Sequence, residues 1–451
     1  MCGIIAILSK SANINVYEGL QALQHRGQDS CGIANETTCI KYPGLVKNAF
    51  TSKDILKLNS NLAIGHVRYA TNNLKDYSQP LSYKIKDRNI YLCHNGNIIN
   101  TTLLRNILIT TYNVDLAKEV SDSELLLILF GEKLKELNKN KEFIFDNTIK
   151  YIFEFLSQLI DGSYSLSIII EGYGIIIHRD CKGIRPLIWG SKQNNHVIAS
   201  ESSSLSLLNF PIKRDVLPGE TIIFKQNKEP IHYQTHSNTL SPCLFEYIYF
   251  SRQDSTIDQI NVTKARLAIG SLLGEKILKQ NLDIDIIIPV PDTSMTFALG
   301  IQSILKIPIG EGFIKNRYVD RTFIMQNHDI IRTNIKRKLS PNPFIIKDKN
   351  ILIIDDSIVR GNTSKHIVEQ SKNCGAKKIY FGSCAPIISN INNYGIFIPT
   401  KTELISYKKT INDMEKILNV DKLIFNDLHL IVELLKNFNF NIKNFETSMF
   451  Q

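Results

Sequence analysis

The segment "ILIIDDSIVRGNTSKHIVEQ" (351–370) constrains the fold of this chain more than any other. Four apolar residues, Ile351 to Ile354, stop at two acids, Asp355 and Asp356. A loop follows from Ser357 through Arg360 and Gly361, and Thr363 and Ser364 then open a helix. An apolar run without alternation reads as a strand buried on both faces, the pattern of parallel sheets. Open α/β sheets bind ligands beyond the carboxyl ends of such strands. A loop entering a helix offers unpaired N–H groups and the positive end of the dipole to a phosphate. Gly361 allows close backbone approach, and Thr363 and Ser364 add hydroxyl donors. Two adjacent carboxylates suit vicinal sugar hydroxyls and a Mg²⁺ held partly by the substrate.

The rest of the second half agrees. Helical spacing in 262–280, 293–307 and 363–376 alternates with apolar strands in "IDIIIPVPD" (284–292), 350–357 and "KKIYFGSCAP" (377–386). That order predicts an α/β domain with a mostly parallel sheet. The first half has another texture. Strands are expected at 90–96, 163–170, 174–180 and 221–226, and helices at 15–24, 121–137 and 147–159. Strands and paired helices in blocks predict an α+β sandwich. The polar, turn-rich stretch "KQNKEPIHYQTHSNTLSP" (225–242) separates the halves, so the expected domains are 1–235 and 236–451. A chain of 451 residues is also too long for one ordinary core.

Bulk properties mainly exclude. There is no secretory signal and no apolar run long enough to span a bilayer, which predicts a cytoplasmic protein with no membrane partner. None of the eight cysteines forms a C-x-x-C pair, so reduced thiols are expected. The net charge of +10 accompanies a lysine, asparagine and isoleucine bias spread over the whole chain, and no nucleic-acid partner is read from it.

The start, "MCGIIAI", poses its own question. Cys2 is either a small hydrophobe opening a strand or a residue that becomes N-terminal when Met1 is removed. In the second case one residue carries a thiol and an α-amine of pKa about 7.7–8.0, a nucleophile and a base together.

Two resemblances weigh on these readings. "ILIIDDSIVRGNTS" resembles the phosphoribosyl-pyrophosphate (PRPP) motif of type I phosphoribosyltransferases. The resemblance implies that Asp355 and Asp356 hold the ribose hydroxyls and, with Thr293, the metal. Residues Ser357, Arg360, Gly361, Thr363 and Ser364 would hold the 5′-phosphate. "IPVPDTS" (288–294) would place Asp292 and Thr293 beside the diphosphate. A basic flap, "KNRYVDRTFI" (315–324) and "RTNIKRKLS" (332–340), would supply Lys315, Arg317, Arg332 and Lys338. Cations aimed at the departing pyrophosphate, and a lid that excludes water, both favour such a reaction.

"CGII", "LQHRGQDSCGI" (23–33), "GHVRYAT" (65–71), "HNGN" (94–97) and "SDSE" (121–124) resemble, in order, the N-terminal-nucleophile glutamine amidotransferases. That implies an αββα sandwich, Cys2 as nucleophile, and the Asn95 side chain and Gly96 N–H as oxyanion donors. Arg68 would grip the glutamine carboxylate and Asp122 its ammonium, with Arg26 in the glutamine pocket. His66 and His94 are expected to be structural, and Cys31, Cys39, Cys93 and Cys181 small buried hydrophobes. The combination is similar to the glutamine PRPP amidotransferase family, along almost the whole chain. It implies that glutamine, PRPP and water give phosphoribosylamine, glutamate and pyrophosphate, the first step of purine synthesis. It further implies one Mg²⁺ per subunit with PRPP, purine nucleotide inhibitors of the AMP/GMP type, a homotetramer, and an ammonia passage lined by Tyr318 and Ile324 of the flap.

Some members of that family carry an iron–sulfur cluster and a propeptide. Here Cys243 stands at one ligand position, but "ISNINNYGIFIP" (388–399) and "NFETSMFQ" (444–451) hold no cysteine, and Met1 directly precedes Cys2. No cluster and no propeptide are expected. The stretch after Thr71 lacks the family's Gly- and Ser-rich run. Three rivals remain: an amidotransferase for hexosamine or asparagine synthesis, which would lack "IIDDSIVRGNTS"; a PRPP-sensing regulator, which would not need Cys2, Arg68 and Asp122 together; and an enzyme using free ammonia alone.

Overall fold

The computed structural model describes residues 2–69, 78–138, 144, 146–235, 239–316, 339–396 and 400–450. Two antiparallel sheets form the first half. One runs in the order Ile212–Asp215, Ile188–Lys192, Asn195–Ala199, Gly3–Leu8, Leu62–Arg68, Ser30–Ala34, Cys39–Pro43. The other runs Ile231–Gln234, Glu220–Phe224, Gly174–Arg179, Gly162–Ile170, Arg88–Ile98, Leu81–Ile85.

The strand Gly3–Leu8 shows why the layers stack. Side chains alternate across a strand. Ile4, Ala6 and Leu8 join Tyr91, Cys93, Ile169, Ile177 and Phe224 of the other sheet in one core. Ile5 and Ile7 point the other way, onto Val16 and Leu20 of the helix Ala12–Ala22. On the far side of the second sheet, Leu92, Leu166 and Ile168 pack under the helices Thr101–Thr110, Asp122–Leu137 and Asp146–Leu159. Both sheets are therefore covered on both faces, an αββα sandwich. Strand alternation disappears from the sequence because there is no wet face to mark.

The second half holds a parallel sheet in the order Ile286–Pro289, Asn350–Asp355, Lys378–Ser383, Lys422–Phe425. Leu352 and Ile354 pack with the helices Val262–Leu278 and Met295–Leu305. Ile351 and Ile353 face Ile367 and Val368 of the helix Asn362–Asn373. The sequence expectations for these elements hold to within a few residues at the ends. The short strands Phe313–Lys315 and Leu339–Pro341 pair antiparallel, with Lys315 opposite Leu339. Arg317, Tyr318, Ile324, Arg332 and Lys338, expected in the flap and passage, lie outside the described residues, as do Met1, Ala70 and Thr71. No described helix is long and apolar enough to cross a membrane.

Candidate active sites

Cys2 sits at the entry of the strand Gly3–Leu8, half-buried. Its neighbour Gly3 pairs with Val67, so the antiparallel register carries Arg68 alongside Cys2. The turn at Gly27 closes on the Arg68 backbone: a Cβ on Gly27 would lie 2.4 Å from the Arg68 carbonyl carbon and 2.7 Å from its nitrogen. We expect Gly27→Ala to shift Arg68 and raise the KM for glutamine at least tenfold, in line with the roughly 1–3 kcal/mol cost of overpacking. Ammonia-dependent synthesis by the same variant should stay near wild type, and steady-state kinetics with each nitrogen source measures both.

Asn95 and Gly96 lie on the strand Arg88–Ile98 of the facing sheet. The Cys2 N–H donates to Asn95 Oδ1 at 3.2 Å. Asn95 is fully buried, yet its Nδ2 has no hydrogen-bond partner among the described residues. A buried donor without an acceptor is costly and uncommon, and a bound oxyanion would relieve it. Gly96 admits no side chain, because a Cβ there would fall 1.9 Å from the Ser163 carbonyl oxygen. Asp122 opens the helix Asp122–Leu137, but the cap is Ser121, whose Oγ accepts from the Glu124 N–H. Asp122 Oδ2 instead accepts from the Ile98 N–H at 3.1 Å, which ties it to the strand that carries Asn95 and Gly96. Arg68, Asn95, Gly96 and Asp122 thus converge on the two strand ends around Cys2.

His66 and His94 are buried. Burial pushes His66 down to about 3, and His94 is also lowered by burial. Their ring nitrogens meet protein groups: His66 Nε2 the His94 carbonyl, and His94 Nδ1 the Ser123 Oγ, with Asp122 Oδ2 3.8 Å away. Of the four cysteines expected to be buried, Cys31 and Cys93 are, whereas Cys39 and Cys181 are only partly so.

Arg26 requires a correction. It was expected in the glutamine pocket, but its side chain is fully buried and its donors are committed inside the protein. Its Nε donates to the Cys2 carbonyl at 2.9 Å, and its terminal nitrogens donate to Glu201 at 2.5 Å and to Glu246 at 2.7 and 3.0 Å. Glu201 also accepts from the Arg252 N–H and Ser255 Oγ. Despite burial, His25 (Nε2 2.7 Å from Glu201) and Arg26 hold Glu201 below its usual range, and Arg26 does the same for Glu246. Arg26 thus bonds to the Cys2 carbonyl and gives its terminal nitrogens to protein carboxylates. Sequence reasoning missed Glu201 and Glu246 as partners of Arg26; they stand in "ASES" (199–202) and "CLFEYIYFSRQDS" (243–255).

In the other site, the parallel pairing of Pro289 with Ile354 brings the carboxyl ends of two strands together. The loop after Pro289 carries Asp292 and Thr293, and the loop after Asp355 runs to the helix Asn362–Asn373. Ser294 Oγ donates to Asp355 Oδ1 at 3.4 Å, and the Thr293 hydroxyl bonds to Asp356. Both acids are buried. Burial pushes Asp356 up to about 6; burial and the charge of Asp356 push Asp355 well above the usual range. Gly361 is the helix cap at φ +79, where a side chain would be strained. Thr363 is exposed and Ser364 buried in the first turn, and Ser357 Oγ donates to Asp356. Two expected ligand contacts face protein carboxylates: Lys315 pairs with Asp292 at 2.6 Å and Arg360 with Glu403 at 2.6 Å, both at the surface. Oxygen donors on Asp355, Asp356 and Thr293 suit a hard divalent cation completed by substrate oxygens.

Arg266 stands between the sites. It donates to the carbonyls of Tyr247, Tyr249 and Ser251, in and just after the π-helical turn Glu246–Phe250, and its charge acts on Asp356.

Comparison with known proteins fits this geometry. The glutamine amidotransferase domain family matches residues 66–207, and the phosphoribosyl transferase domain family matches residues 256–388. The class is therefore a glutamine amidotransferase joined to a phosphoribosyltransferase. The chain is 40% identical to the amidophosphoribosyltransferase of Escherichia coli (strain K12), over 100% of this chain and 92% of that one. It is 38% identical to the Saccharomyces cerevisiae enzyme of the same name, over 100% and 91%. The solved glutamine PRPP amidotransferase from B. subtilis, complexed with ADP and GMP, superposes with a TM-score of 0.84 at 32% identity, over 96% of this chain and 92% of that one. The chain belongs to the amidophosphoribosyltransferase family.

Proposed function

We propose that the chain converts glutamine, PRPP and water to phosphoribosylamine, glutamate and pyrophosphate, the first step of purine synthesis, with its two sites in the two halves divided near 235/236. The observation that carries the residue assignment is the Asn95 amide. One end binds the Cys2 nitrogen and the other is a buried donor with no partner among the described residues.

Once Met1 is removed, the Cys2 nitrogen is an α-amine able to take the thiol proton as sulfur attacks the glutamine amide carbon. The amide oxygen gains charge, and Asn95 Nδ2 and the Gly96 N–H receive it; one such donor is worth about 2.7–4 kcal/mol. The α-amine then gives the proton to the departing ammonia, leaving a thioester that water cleaves to glutamate. Arg68 offers a bidentate fork to the glutamine carboxylate, and Asp122 pairs with its ammonium. Ammonia attacks the ribose carbon of PRPP as pyrophosphate leaves. Asp355 and Asp356 hold the ribose hydroxyls, and the loop 357–364 holds the 5′-phosphate. Lys315, Asp292 and Thr293 border the diphosphate; Asp355, Asp356 and Thr293 would hold one Mg²⁺ per subunit, which would supply positive charge against the departing pyrophosphate.

Purine nucleotide inhibition is supported by the ADP and GMP in the B. subtilis relative. A homotetramer in the cytoplasm follows from the family resemblance. The test is stoichiometry. With glutamine, PRPP and Mg²⁺, glutamate and pyrophosphate should appear one for one, and EDTA should stop pyrophosphate release. Glutamate without pyrophosphate would overturn the reading in favour of another amidotransferase.

A further inference from the structure

The segment that follows the strand Lys378–Ser383 runs from one site to the other. At its start the Cys384 N–H donates to the Asp355 carbonyl at 3.0 Å, and the Ala385 N–H to the Asp356 carbonyl at 2.8 Å. Residues 384–396 then contain neither helix nor strand. Irregular loops of such length are uncommon in compact domains unless they are functional. Asn392 gives this one its shape. Its Oδ1 accepts from the N–H groups of Tyr394 (2.8 Å) and Ile396 (3.2 Å), and its Nδ2 donates to Glu446 at 3.0 Å.

The far end lies on the glutamine site. Asn97 Nδ2 donates to the Asn393 carbonyl, and Ser163 Oγ donates to the Tyr394 carbonyl, each at 2.8 Å. Gly395 lies flat against Gly96: a Cβ there would stand 3.4 Å from both the carbonyl carbon and oxygen of Gly96, at φ +108. Asn97 follows Gly96 in the chain, and Ser163 pairs with Asn97 across the ladder. The contacts thus enclose Gly96 without involving the Cys2 sulfur.

We propose that Asn97 and Ser163 are positioning residues for glutamine hydrolysis, clamping the Gly96 backbone onto the strap 384–396. The oxyanion site is then completed by the domain whose acid pair anchors the strap. This rests on the reading of Asn95 and Gly96 as oxyanion donors. Such donors must be held to within about 0.5 Å, and Gly96 has no side chain of its own to lock it. A loosened donor weakens the transition state more than bound glutamine, so kcat falls and KM does not.

The experiment uses the full chain with Asn97→Ala/Ser163→Ala, with Gly395→Ala, and with Asn95→Ala alongside. Gly395→Ala removes no donor but strains the strap backbone at φ +108, where its Cβ would touch Gly96. Both strap variants should lose about ten- to a hundredfold in glutamine-dependent kcat, with KM for glutamine within about twofold. Ammonia-dependent synthesis should stay within about twofold of wild type, which separates positioning from loss of folding. Equal loss of both activities, or an unchanged glutamine kcat while Asn95→Ala is inactive, overturns the proposal alone. Full glutamine use by Asn95→Ala overturns the oxyanion reading and the proposal with it.

Discussion

Cys2→Ala should abolish glutamine-dependent synthesis, by about 10⁴-fold or more, while ammonia-dependent synthesis stays within about twofold of wild type. The asymmetry follows from where Cys2 stands. Among the described residues its sulfur makes one weak hydrogen bond, 4.0 Å to the Tyr69 carbonyl, so removal strands no buried partner among them. Its backbone does the structural work: the carbonyl accepts from Arg26 Nε and the N–H donates to Asn95. Alanine keeps both. The loops proposed to bind PRPP follow other strands, Ile286–Pro289 and Asn350–Asp355. Glutamate release and pyrophosphate release, each measured with glutamine and with ammonium salts across pH, make the test. Retained glutamine use by Cys2→Ala would remove the nucleophile from the proposed mechanism. Mass spectrometry of the active protein supplies an independent check, because retained Met1 would leave an amide where the mechanism needs an amine.

What the sequence revealed and what it hid divide along one physical line. The strand, loop and helix proposed to bind phosphate were legible because their parts are local: an apolar strand, two acids, a glycine and a helix start lie within 20 consecutive residues (351–370), and local order dictates their geometry. The helix Asp122–Leu137, expected at 121–137, was legible for the same reason, since its cap and the acids of its first turn are also local. The αββα layering was only implied by resemblance, since strands buried on both faces give no period to count. The Arg26 cluster was hidden because its partners are 175 and 220 residues away, and a single arginine after a histidine carries no sign of what it will meet. Arg26 was therefore assigned by its neighbourhood to glutamine, and the fold gives it to two glutamates and the Cys2 carbonyl. Asn97 and Ser163 were hidden in the same way. Each looks like an ordinary polar residue near a strand end until the strap arrives from nearly 300 and 231 residues further along.

Asp355→Asn should cost PRPP use about 10³-fold or more in kcat/KM, measured with ammonia so that the glutamine site plays no part, and yet stabilise the ligand-free protein. The loss comes from removing a charge-assisted grip on the ribose hydroxyls and one of two carboxylates that would hold Mg²⁺. The gain comes from the same crowding. Asp355 and Asp356 are adjacent, buried, and raised in the fold, Asp356 to about 6 against an ordinary value of 3.8. Between the unfolded and folded values the folded chain holds more protons, so stability falls as pH rises through that window, and the penalty is complete above it. At pH 8, above the value of about 6 for Asp356, the wild-type protein without ligand carries the Asp356 penalty in full, partly offset by Ser357, Arg266 and Thr293. Asparagine removes one buried charge and the repulsion on the other, a gain of about 1–3 kcal/mol at pH 8 that shrinks toward pH 5, where wild-type carboxyls are already protonated. Thermal unfolding of both proteins at the two pH values reads this directly. Adding Mg²⁺ and PRPP should then reverse the order at pH 8, raising the wild-type transition by mass action and leaving Asp355→Asn nearly unmoved. Equal stabilisation of both proteins by the ligands would remove Asp355 from the PRPP site; equal stability of the two without ligand would mean that the buried pair carries no stored repulsion for the substrate and its metal to relieve.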